Sequence, residues 1–280
     1  MKYNIIVSML VFLFLTACNP DFNTNQKDVK HQSSKKRLKS NTKKLKSNQK
    51  GLKPKTEVTQ NQKANKNQEV DQNKRTKNTL LDDLRNLIEK VNKDRTKYVK
   101  RLKEEPLNQY EILAFKELSW EDTEETAAGN IEKAKIYRQR TYAVLNDIDT
   151  NEFKKFSEII MLSEQTEGLF NSFNSFGATI EDTFIFLIDP NKKDNLEKLE
   201  ISDLYRLKNS IEKFLSIKTM ISKMLTQLLL DYKNNNNPIQ TDNSKLNSYL
   251  ATISNQIEEQ NAEAIKLKND IFSIENFKSY

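Results

Sequence analysis

Residues 170–188 read FNSFNSFGATIEDTFIFLI, the most apolar stretch beyond the N-terminal leader. Phe170, Phe173, Phe176, Ile180 and Phe184 recur at intervals of three and four, the spacing of one helical face. Phe186, Leu187 and Ile188 widen that face, so this helix is expected at the centre of a bundle, buried on most sides. Asp189-Pro190-Asn191 stops it, because the residue before a proline is driven out of the helical region. Downstream, Ser202 is expected to cap a long helix carrying Leu204, Leu207, Ile211, Leu215, Ile217, Ile221, Met224, Leu225 and Leu228 as far as Tyr232. The asparagines at 234–237 and Pro238 break it. A last helix, from about Asp242, carries Leu246, Leu250, Ile253, Ile257, Ala264, Leu267 and Ile271.

Upstream, Leu80, Leu84, Leu87, Ile88, Val91, Tyr98 and Leu102 mark a helix that Pro106 ends. A short segment at 107–118 and an acidic loop at 121–129 follow. Ile131, Ala134, Tyr137, Tyr142, Leu145 and Ile148 mark the next helix, and Thr150 is the expected N-cap of one carrying Phe153, Phe156, Ile159, Ile160 and Leu162. Nothing alternates with period two, and four glycines and five prolines give little material for tight β turns. The expected fold is all-α: a bundle of about five to seven helices behind a disordered N-terminal tether.

The tether is expected from composition. Residues 19–79 hold 17 Lys and Arg against 5 Asp and Glu, with almost no apolar periodicity. Such a segment cannot bury enough surface to offset the entropy of ordering it. Leu38, Leu45 and Leu52 recur every seven residues among lysines, but one apolar residue per heptad is half a coiled-coil seam. As a flexible coil the segment would span about 45 Å root-mean-square. It reads as a solvated spacer or as an accessory contact for anionic lipid or sulfated sugar. Residues 80–280 carry a net charge of −6 although the whole chain carries +7. The basic charge therefore lies outside the expected fold, and nucleic acid is not an expected partner.

The N-terminus reads as an export signal. Lys2 precedes an apolar run from Ile5 to Leu15, too short to span a bilayer and of signal-peptide length. It leads into Leu15-Thr16-Ala17-Cys18, which resembles the lipobox of bacterial lipoproteins. Cleavage between Ala17 and Cys18 would free the only cysteine for acylation, and two or more acyl chains anchor a protein stably. The expected organisation is a signal peptide at 1–17, a lipidated cysteine and basic tether at 18–79, and a helical domain at 80–280.

No chemistry of catalysis emerges. The single histidine, His31, lies in the tether, so His-assisted nucleophilic catalysis and zinc ligation by His and Cys both lack residues. Gly129, Gly168 and Gly177 are isolated and form no phosphate loop. Asp189, Asn191 and Asp194 do not follow the EF-hand spacing. Glu124 and Glu125 lie in an exposed loop, whereas a general acid or base needs burial. Phe170, Phe173, Phe176 and Phe184 read as core, and Trp120 either plugs the bundle end or forms an exposed contact. No enzyme, metal or cofactor is expected.

Arg140-Thr141-Tyr142-Ala143-Val144-Leu145, Phe153-Lys154-Lys155-Phe156 and Glu158-Ile159-Ile160 carry a resemblance, as does the run from Leu204-Tyr205-Arg206-Leu207-Lys208 to Leu229-Leu230-Asp231-Tyr232-Lys233. With the lipobox and tether, residues 80–233 are similar to the complement regulator-acquiring surface lipoproteins of Lyme-disease spirochaetes (Borrelia). The resemblance implies a helical antigen anchored by lipid to the outer membrane, facing the host and serving immune evasion. Some members bind complement factor H, sometimes as dimers joined by a long C-terminal helix; others bind other complement components or plasminogen. The Asn-rich break after Tyr232 departs from the factor H-binding pattern, so no ligand-contact residue is carried over. Two functions stand: capture of a host serum or complement protein, or an envelope adhesin acting through its basic tether. Monomer and homodimer both remain open, since the hinge at 234–238 lets the last helix pack at home or in a neighbour.

Overall fold

The computed structural model describes residues 61–120 and 125–278. Among them are eight α-helices: α1 (Asn61–Lys103), α2 (Ala114–Glu117), α3 (Glu132–Val144), α4 (Thr150–Ile160), α5 (Thr166–Ile188), α6 (Lys192–Lys198), α7 (Ile201–Lys233) and α8 (Asn243–Ser273). Short 3-10 turns lie at Gln109–Glu111 and Glu275–Phe277. Among the described residues there is no strand, only a single antiparallel bridge between Ser119 and Thr126. The all-α bundle read from the sequence is the fold.

α5 is the central helix. It packs against α1, α3 and α8, while α7 packs against α1 and α8. Phe170, Phe173, Phe176, Ile180 and Phe184 are fully buried, as their spacing predicts. Phe115, Tyr142, Phe153 and Phe170 meet edge to face with ring centroids near 6 Å, the geometry that the aromatic quadrupole favours. Gly177 marks a close crossing of α5 over α3. A Cβ there would overlap the carbonyl oxygen of Arg140 and stand 2.6 Å from its carbonyl carbon. Only a residue without a side chain lets the two backbones meet.

Polar pairs fix the directions of the helices. Ser172 with Ser254 (2.8 Å), Thr179 with Asn261 (2.8 Å) and Asp182 with Lys268 (3.1 Å) advance together, so α5 and α8 run parallel. Arg206 with Asp270 (2.7 Å) and Asp231 with Tyr249 (2.7 Å) set α7 antiparallel to α8. Lys208 with Asp83 and Lys218 with Asp94, both 2.8 Å, set α1 parallel to α7. The buried rungs among these, Ser172 with Ser254 and Thr179 with Asn261, penalise a slipped register, because a shift would leave their polar atoms unpaired inside the bundle.

The ends of the elements differ from expectation in three places. Helix α1 begins at Asn61, well upstream of Leu80. The boundary at Leu80 is where packing starts: 71–79 contains no buried residue, whereas Leu80, Leu81 and Leu84 are in the core. Gln, Lys and Glu are good helix formers, and a packed downstream turn lets a helix propagate without an apolar face. The N-cap of α4 is Asp149, one residue before Thr150. Its carboxylate accepts from the Glu152 amide (2.9 Å), and Glu152 accepts from the Asp149 amide, a capping box. Ser202 lies inside the first turn of α7, whose N-cap is Glu200.

The asparagine run closes α7. Asn235 and Asn237 take φ of 51° and 53°, the left-handed region that asparagine tolerates. The Asn236 side chain donates to the Asp231 carboxylate at 2.8 Å. In this chain α8 turns back from there onto α5 and α7. Its far end is clasped: Phe186 stacks on Phe272 with centroids 4.1 Å apart, and the buried Lys192 ammonium donates to the Phe277 carbonyl at 2.6 Å. That ammonium also lies 4.1 Å from the centroid of the Phe186 ring. Burial depresses the Lys192 pKa, and cation–π attraction offsets part of the lost hydration.

Candidate interaction surface

Ala17, Cys18, His31 and the tether up to residue 60 lie outside the described residues. The other residues singled out by the sequence have structural roles. Phe170, Phe173, Phe176 and Phe184 are core. The Asp189 carboxylate accepts from the amide and the side chain of Asn191, both at 3.0 Å, an ordinary turn. Among the described residues no group of three His, Cys, Asp or Glu side chains is placed to hold a metal, and no helix is long and apolar enough to cross a membrane. Trp120 is half buried, edge-on to Tyr137 at 6.1 Å, with the Lys133 ammonium 4.7 Å from its ring centroid. Both contacts are with the first turns of α3.

The acidic loop is held from below by a pair that sequence reading misses. Arg138 is 2% exposed and forms a 2.8 Å ion pair with Glu105 from the end of α1. Its other guanidinium nitrogen donates to the carbonyls of Ala127 (2.6 Å) and Gly129 (2.8 Å). The Tyr142 hydroxyl donates to Glu105, and burial followed by the Glu105 charge pushes the Tyr142 pKa far up. The carbonyls of Ala127 and Gly129 therefore each meet a fixed donor. Opposing charges 33 residues apart give no local signal.

Two kinds of surface face solvent. Around the start of the loop region, Gln109, Tyr110 and Glu111 have φ of 46°, 56° and 60°. Three consecutive left-handed non-glycine residues cost about 1–2 kcal/mol each. Tyr110 donating to the Arg101 carbonyl (2.8 Å), the Gln109 side-chain Nε2 donating to the Leu107 carbonyl (2.7 Å) and a Lys154–Glu111 ion pair offset part of this. The turn leaves Leu107 91% exposed. Among the remaining exposed apolar residues, Leu162 lies in the turn after α4, Ile185 on α5, and Tyr205 and Leu230 near opposite ends of α7. An open groove of about 540 Å³ between α6 and the C-terminal turn is lined by Asn191, Asp194, Asn195, Lys198, Glu275, Asn276 and Lys278 and is polar. On the second surface, α1 turns Lys90, Lys93, Lys97 and Lys100 to solvent, opposite the core residues Leu84, Val91 and Tyr98. Their spacing of three, four and three is legible in the sequence once the direction of the core is known.

The profile of the family described as "Borrelia Bbcrasp-1 domain containing protein" matches residues 99–276. The chain belongs to this family. Among solved structures, BSE31 of Borrelia (Borreliella) spielmanii is 53% identical, over 71% of this chain and 99% of its own, with a TM-score of 0.67. Two relatives from Borrelia burgdorferi share the fold. The outer surface lipoprotein BBA64 is 22% identical over 71% of this chain and 96% of its own, TM-score 0.52. The outer surface protein BBA66 is 18% identical over 70% of this chain and 99% of its own, TM-score 0.54. No curated protein matches. Membership in the Bbcrasp-1 family bears out the resemblance carried by the helix-spacing residues and extends it. The match runs past Tyr232 to residue 276, so the asparagine break and α8 belong to the family's fold.

Proposed function

We propose that this Bbcrasp-1 family member is a lipid-anchored protein of the spirochaete outer surface, without catalytic activity, whose bundle captures a host serum protein such as a complement factor. The family match over residues 99–276 carries this reading, since the relatives BBA64 and BBA66 are named outer surface proteins. Leu15-Thr16-Ala17-Cys18 supplies the anchor, with cleavage after Ala17 and acylation of Cys18. The function is tested by passing human serum over the immobilised full chain. Specific retention of one serum protein supports it; a folded chain that retains none overturns it.

The anchor has its own expected outcome. Wild-type chain expressed in the spirochaete should enter the detergent phase in phase partitioning, and Cys18→Ala should stay in the aqueous phase. A Cys18→Ala chain that still enters detergent would place the anchor elsewhere. A second reading, an adhesin for sulfated glycans, is favoured by the excess of 17 cations over 5 anions in residues 19–79.

A further inference from the structure

The charge of this chain is divided by element. Helix α1, residues 61–103, holds 13 Lys and Arg against 6 Asp and Glu, whereas residues 104–280 hold 20 against 30. Two of α1's six acidic groups are engaged by α7, Asp83 on Lys208 and Asp94 on Lys218. Its outward face is thereby left cationic. Lys90, Lys93, Lys97 and Lys100 are all exposed. At 100° per residue they fall within one narrow arc, and at 1.5 Å per residue they run about 15 Å along the axis. Lys90 and Lys97 make no ion pair among the described residues. Lys93 pairs with Glu89 at 2.6 Å and Lys100 with Glu104 at 3.7 Å, exposed pairs within one helix that are easily exchanged.

We propose that the outward face of α1 binds a linear polysulfated glycan, with these four lysines contacting successive sulfates. Residues three and four apart on a helix have Cβ atoms about 5–6 Å apart, within the Debye length of about 8 Å at physiological salt, so the fields of neighbouring lysines add. The acidic remainder of the bundle repels a polyanion, which confines it to α1. The arc and its edge also hold Asn86, Glu89, Thr96 and Glu104, all exposed, and no apolar or aromatic residue. A protein interface would need an apolar or aromatic anchor there, and an interfacial membrane helix an apolar face to insert. A flexible strand of sulfates needs only spaced cations. This extends the adhesin reading from the N-terminal basic segment to the folded surface, and the two are separable by experiment.

The test is calorimetric titration of the full chain with heparin across a salt series. Three variants are compared: Lys90, Lys93, Lys97 and Lys100 all →Gln; Glu89→Gln with Glu104→Gln; and Lys43, Lys44, Lys46 and Lys50 all →Gln. The α1 lysine variant should bind at least about fivefold more weakly and flatten the log–log salt slope by about 2, as released counterions fall in number. The glutamate variant, which unmasks Lys93 and Lys100, should bind about twofold more tightly. Circular dichroism checks that both stay helical. Loss of binding only in the tether variant, with both α1 variants within a factor of 1.5 of wild type, overturns the α1 site while leaving the adhesin reading intact. Equal, stripe-dependent binding to phosphatidylserine vesicles or to duplex DNA overturns the glycan as its partner.

Discussion

Gly177→Ala is expected to destabilise the bundle by about 3 kcal/mol or more, the upper end for overpacking a well-filled core. The new methyl group would stand 2.6 Å from the carbonyl carbon of Arg140 and overlap its oxygen. That obstacle is backbone, so no rotamer change relieves it. α5 and α3 would have to separate, and Phe173, Phe176 and Ile180, all fully buried on α5, would move with them. In a chain of this size each kcal/mol lowers Tm by about 2–4 °C, so a loss on the order of 10 °C should appear in a thermal scan. Gly168→Ala is the control. Gly168 is exposed in the first turn of α5, with nothing within 4 Å of an added Cβ. Alanine there should be neutral or stabilise by about 0.5–1 kcal/mol. Equal effects at the two glycines would show that helix propensity governs both, and would refute the close crossing.

What the sequence reveals here follows from range. The stripe of Phe170, Phe173, Phe176, Ile180 and Phe184 is a local pattern with one physical solution, a helix buried along that face, and the structure has it. The same holds for Leu246 to Ile271 on α8. The breaks at Pro106, Pro190 and Pro238 are equally local. End effects are legible only to within a residue or two, because Asp149 and Thr150 can both cap and the choice depends on which carboxylate Glu152 can answer. The start of α1 is less legible still: periodicity reports burial, and residues 71–79 are helical without it. Gly177 reads as an isolated glycine because its meaning lies on another helix. The lysine arc on α1 is local and regular, but a charge stripe becomes a candidate site only when the rest of the bundle is seen to be acidic.

Arg138→Met should cost about 3–5 kcal/mol, the usual penalty for removing one partner of a buried ion pair. The substitution keeps the length and apolar contacts of the stem but strips the Glu105 carboxylate of its cation inside the bundle. It also removes the donor that answers the carbonyls of Ala127 and Gly129. Two separable results follow. Global stability falls, and the segment between the Ser119–Thr126 bridge and the start of α3 loosens, so native-state trypsin cleavage at Lys133 should accelerate well before global unfolding. Glu105→Leu alone should be comparably destabilising, because it leaves the guanidinium buried without its anion and frees the Tyr142 hydroxyl. The double variant Glu105→Leu with Arg138→Met removes both charges and should recover much of the global stability, since apolar residues of similar volume often replace a buried pair at little cost. It should not recover the protection at Lys133, because the two loop carbonyls still lack a donor. A double variant that regains both would show that the pair serves only the core and that the acidic loop is held by other contacts. If instead each single variant loses less than about 1 kcal/mol, Arg138 and Glu105 are reaching solvent on removal of the partner, and the loop is not pinned from below.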